Sequence, residues 1–103
     1  MILILTTCQE KDFKKVSNTI IKEKLAGCAL KIKVSESDYW WEKKICMEKN
    51  EILLIFKTTD KLKNKLLKRL KEIHPYKIPF ISQIKPHDVN EEYEKWLSKV
   101  TGD

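Results

Sequence analysis

The chain is poor in residues that loosen a backbone. Its 103 residues include two glycines and three prolines, which excludes a linker or low-complexity segment and points to short, ordered connections. Cysteine is scarce as well. Cys8, Cys28 and Cys46 are odd in number, far apart and form no C-x-x-C pair, so neither a zinc site nor a redox dithiol can be read from them. A reducing compartment, the cytoplasm, is the expectation. Arginine is represented by Arg69 alone, whereas bidentate reading of bases and phosphates favours arginine. The lysines alternate with acids along most of the chain, so the formal net charge of +6 does not argue for a nucleic-acid partner. Long apolar runs are missing too: the opening run from Met1 to Leu5 has no basic residue before it and stops at Thr6-Thr7, too short for a signal peptide. No stretch approaches the ~20 apolar residues of a membrane span, and no membrane partner is expected. No motif supplies a nucleophile with its base, paired acids or a Gly-rich phosphate loop, so the chain is not expected to be an enzyme.

What is present describes a globular domain. Hydrophobic residues make up 42% and charged residues 35% of the sequence, which fits one domain over residues 1–103 with a strongly solvated surface and a core of modest size. Residues 2–5 read as a strand apolar on both faces. Thr7 to Glu10 matches the S/T-x-x-E capping pattern, which predicts a helix start. Phe13, Val16, Ile20, Ile21 and Leu25 then form its apolar stripe, and Gly27 stands where a left-handed helix cap is expected. From Cys28 the period changes to two, with Leu30, Ile32 and Val34 alternating with polar residues. A long third strand is expected over about 44–58, forming a long hairpin with the second.

Thr59 or Asp60 can cap a second helix with Leu62, Leu66, Leu67, Leu70 and Ile73 inward, ending before His74-Pro75 because a residue preceding proline leaves helical geometry. Residues 80–85 read as a fourth strand. Asn90 caps a last helix with Tyr93, Trp96, Leu97 and Val100 on one face. The order β-α-β-β-α-β plus an extra C-terminal helix is an α+β, ferredoxin-like (split βαβ) sandwich. Two helices cover one face of such a sheet, yet the first and third strands are apolar on both sides. Identical copies packing sheet against sheet are the expected cover, with the last helix shielding a part.

Five segments carry a resemblance: Ala26-Gly27-Cys28-Ala29, Tyr39-Trp40-Trp41-Glu42-Lys43-Lys44-Ile45, Leu54-Ile55-Phe56-Lys57-Thr58, His74-Pro75-Tyr76-Lys77-Ile78-Pro79 and Tyr93-Glu94-Lys95-Trp96-Leu97. In order and spacing the chain resembles the CutA divalent-cation tolerance family over essentially its whole length. The resemblance implies a ferredoxin-like homotrimer with its sheets on a common axis, a non-enzymatic role in divalent-cation tolerance and homeostasis, and copper binding in some members. Cu2+ or another divalent cation is the implied ligand, with none required for folding. His74 is the candidate metal ligand, and the competing reading is a histidine that hydrogen-bonds the backbone while Pro75 and Pro79 shape the loop. The trimer interface and its clefts are expected to draw on Tyr39, Trp40, Trp41 and Glu42 of the hairpin. Lys57, Pro75, Tyr76, Lys77, Pro79 and Trp96 are expected to complete them.

Three positions depart from the family pattern. Lys43 stands where a Gly is common in the hairpin, Phe80 where an acid is common, and Ile73 where a few members carry a second histidine. The last two changes remove metal ligands, and Cys8 is offset from the cysteine some members have. A similarity of trimer design to the PII signalling proteins gives the alternative function, a signalling module binding a nucleotide or small anion, which lysines such as Lys57 and Lys77 at the clefts would favour.

Overall fold

In the computed structural model, which describes residues 1–102, the chain forms β1 (Ile2–Gln9), α1 (Phe13–Lys22), β2 (Cys28–Lys33), β3 (Ser37–Trp41), β4 (Lys44–Glu48) and β5 (Glu51–Thr58). There follow α2 (Lys63–Ile73), β6 (Ile81–Ile84) and α3 (Glu91–Thr101). Among the described residues β2, β5, β1 and β6 make an antiparallel four-stranded sheet in that order, and β3 with β4 makes a two-stranded ladder. This is the expected ferredoxin-like α+β sandwich with an appended helix.

The core follows from strand alternation. Ile2, Ile4, Thr6 and Cys8 of β1 and Ile52, Leu54, Phe56 and Thr58 of β5 are buried, each alternating with half-buried neighbours. Against that face pack Val16 and Ile20 of α1 and Leu66 and Leu70 of α2. Each fully buried Leu, Ile or Phe contributes about 1.5–3 kcal/mol, so this side of the sheet carries most of the fold's stability.

Four local expectations are corrected. β1 runs on to Gln9, pairing Thr7 with Leu53 and Cys8 with Ile52, so Thr7 caps no helix and a 3-10 turn at Glu10–Asp12 precedes α1. The polarity of Thr6 disguised the continuation, because its buried hydroxyl is satisfied by tertiary hydrogen bonds. Secondly, α1 is closed by Lys24, just past its last turn, at φ 58. The Lys24 N–H donates to Ile21 O and the Leu25 N–H to Ile20 O, the paired bonds of a Schellman cap. Gly27 serves a close approach instead: a Cβ there would lie 2.6 Å from Leu97 Cδ1 and 3.0 Å from Val100 Cγ2. Thirdly, the long third strand is interrupted at Lys49-Asn50. Lys33 faces Ile52 and Ser37 faces Glu48, so equal numbers of residues intervene and the two ladders remain one hairpin in one register. Its two-residue turn, Glu42-Lys43, has φ of 49 and 66, the signature of a type I′ turn. Fourthly, Asn90 has the extended backbone of a helix cap but makes no side-chain capping bond.

The opposite sheet face remains apolar and open. Leu3, Leu5, Leu53 and Ile55 are half-buried on it, and Leu30, Ile32 and Ile84 are 40–47% exposed. At one end Lys57 donates to the Tyr93 hydroxyl of α3 at 3.1 Å, so α3 shields only that corner. Among the described residues no helix is long and apolar enough to cross a membrane.

Candidate functional site

His74 follows the last turn of α2, with its N–H still donating to Leu70 O and its backbone already extended. Its Nδ1 accepts the Tyr76 N–H at 3.0 Å. Nε2 lies 3.0 Å from Thr7 O and 2.9 Å from Thr6 Oγ1. A carbonyl can only accept, so the ring is neutral and carries its proton on Nε2. Burial lowers its pKa, outweighing the opposing effects of the Thr7 carbonyl and of Asp12. The Thr6 hydroxyl donates to Phe80 O at 2.7 Å. His74 and Thr6 thereby tie both ends of the 74–80 loop to β1.

The loop so held carries Tyr76 to the end of the open sheet face, where its hydroxyl donates to Glu51 Oε2 at 2.9 Å. Burial, and then the bond to that carboxylate, raise the phenol's pKa, so Tyr76 stays protonated. Glu48 accepts from the Asn50 N–H at 2.8 Å and from Gln9 Nε2 at 3.3 Å. Between the loop, the sheet end and the hairpin lies a cavity of about 500 Å³, a volume typical of small-molecule sites.

Five of the residues singled out in the sequence meet at this cavity: Tyr39, Trp41, Pro75, Tyr76 and Lys77. The others lie elsewhere. Trp40 points away from it, as strand alternation requires, facing Ile45, and these two are 71% and 67% exposed. Glu42 sits in the hairpin turn. Lys57 and Trp96 belong to the α3 corner, where Tyr93 bonds the lysine and packs against the indole at 5.3 Å between ring centroids. Accepting that bond, the Tyr93 hydroxyl raises the Lys57 pKa. Pro79 and His74 do not line the cavity, which is completed by Thr7, Gln9, Ser37, Glu48, Glu51, Ile78 and Phe80. None of these had been singled out as site residues from the sequence. Glu51, an acid abutting an apolar run, was the one visible signal.

A copper or zinc ion does not fit the residues of one chain. The single lone pair of neutral His74, on Nδ1, is already taken by the Tyr76 N–H. Among the described residues no three His, Cys, Asp or Glu side chains converge. The three cysteines are free thiols, with Cys8 buried and its pKa pushed up to about 11 by that burial.

Comparison with known proteins agrees with this fold. A family model described as CutA1 divalent ion tolerance protein matches residues 1–100. The divalent-cation tolerance protein CutA of Pyrococcus horikoshii is 42% identical over 102 residues, covering 98% of each chain. A crystal structure of a CutA1 variant from that organism gives a TM-score of 0.91 at 42% identity over 97% of both chains. A protein named chloroplastic CutA 1, from Oryza sativa subsp. japonica, is 32% identical over 98% of this chain, which spans 56% of its length.

Proposed function

Because the chain belongs to the CutA1 divalent ion tolerance family, we propose that it serves divalent-cation tolerance as a homotrimeric binding protein and not as an enzyme. Three copies close their open sheet faces around a common axis, and the cleft beside Tyr76 takes a ligand. One observation carries this reading: the apolar sheet face of Leu30, Ile32, Leu53 and Ile55 continues in register into Trp40, Ile45 and Met47, all left uncovered by the chain's own helices. A surface of that kind needs a partner, and cyclic self-association supplies one without a second gene product. Light scattering on the purified protein should give three times the 12.2 kDa of the chain; a stable monomer in dilute solution would reject the assembly.

The link to metal ions does not pass through a closed site on His74, since coordination by Nδ1 would require the Tyr76 N–H to turn away. Copper titration should therefore give the same affinity for the wild type and for His74→Ala. A clear loss in the variant would make His74 a ligand after all. We place the protein in the cytoplasm on its unpaired thiols; trapping cells in acid and finding any of the three oxidised would count against that.

A further inference from the structure

The cavity beside Tyr76 has a charge balance opposite to that of the chain. Lysine and arginine number 21 against 15 acids, yet every hydrogen bond described for Glu48 and Glu51 comes from a neutral donor: Gln9 Nε2, the Asn50 N–H and the Tyr76 hydroxyl. Neither carboxylate makes an ion pair among the described residues, although both are half-buried. Lys77 lines the same cavity with its side chain exposed to solvent and paired with neither. A half-buried carboxylate with no cation beside it can accept a further, charged donor.

The remaining walls narrow the ligand class. Tyr39, Trp41 and Tyr76 are among the residues lining it, and aromatic rings attract cations to their faces and suit a flat apolar body. A bare metal ion is a poor match for about 500 Å³ in which no three ligating side chains converge. A primary ammonium group supplies three N–H donors to the free lone pairs of the two carboxylates.

We propose that this cavity binds a primary ammonium ion carried on a flat apolar body, with the nitrogen at Glu48 and Glu51 and the body among the rings of Tyr39, Trp41 and Tyr76. The proposal rests on the reading of the cleft as a ligand site and names the chemistry it selects. Phenethylammonium and phenylacetate share ring and length and differ in the sign of their charge, so titrating each into the assembled protein by calorimetry tests it directly. The ammonium probe should bind at least about tenfold more tightly than the carboxylate, and Glu48→Gln and Glu51→Gln should each weaken it by about tenfold, the loss of one charge-assisted contact.

Equal affinity for the two probes, binding of neither, or unchanged binding in both glutamine variants would overturn the proposal. Displacement of phenethylammonium by stoichiometric manganese or copper chloride would overturn it in favour of a metal. Should a variant not fold, the two-probe comparison on the wild type still decides. A monomeric protein that nevertheless prefers the ammonium probe would sink the trimer while leaving this inference standing.

Discussion

His74 shows how a single residue couples the fold to pH. Burial holds its pKa below 6.5 in the folded chain, so near that pH the unfolded chain binds more protons than the folded one, and stability rises with pH. The contribution is complete above the unfolded value and is lost as pH falls through 6.5 toward the lower folded value. Between about pH 7.5 and about pH 5.5, above the range where most carboxylates titrate, the thermal midpoint should fall for the wild type and fall less for His74→Gln. Parallel curves would mean that protonation of the ring is not resisted. Cys8 offers a second check at this scale. With its thiol pushed up to about 11, iodoacetamide at neutral pH should label Cys28 and Cys46 well before Cys8. The end of α2 at His74 was legible from Pro75, a local steric rule. Its partners Thr6 and Thr7, 68 and 67 residues away in sequence, were not, because no local pattern encodes which carbonyl a ring will meet.

Among the elements, the hairpin and α3 depend on two positions where backbone geometry and side chain conflict or agree. The I′ turn places Lys43 at φ 66, a left-handed conformation that costs a non-glycine residue roughly 1–2 kcal/mol. Lys43→Gly should therefore stabilise the protein by about 1 kcal/mol after the glycine's greater unfolded-state entropy is deducted, measurable by chemical denaturation. A loss of stability would mean that the lysine makes a contact worth more than the strain. Gly27→Ala should act the other way. The added Cβ would meet Leu97, which is 1% exposed, at 2.6 Å, and overpacking of this kind costs about 1–3 kcal/mol. Faster amide exchange in α3 than in β5 would locate the damage, while an unchanged α3 would show that Leu97 simply rotates away. Element order and helix faces were legible because apolar spacing reports directly on period. The ends of β1 and the role of Gly27 were not: one depended on a buried threonine finding partners, the other on a helix arriving from the far end of the chain.

For the whole molecule the decisive quantity is what lies on the uncovered side of the sheet. The continuous apolar runs of β1 and β5 made it legible that both faces are apolar, but not which of Trp40 and Trp41 would turn to which side. Trp40 follows the open face, while Trp41 turns with Glu48 to the cavity, a division that depends on strand register, and Glu51 reaches the cavity from the open-face end of β5. Ile32, 46% exposed near the end of β2, separates the two states of the molecule most cleanly. In a chain that stays alone, Ile32→Lys adds a solvated charge to an already wet surface and should change stability by no more than about 0.5 kcal/mol. Where copies cover that face, the same lysine must be desolvated without a partner, at a cost of several kcal/mol per subunit, enough to shift the population to monomers. Sedimentation at fixed concentration should then show the variant at one third of the wild-type mass, with a thermal midpoint that no longer rises with protein concentration. A variant of full mass and wild-type midpoint would leave the open face unexplained by self-association and would point to a different partner for it.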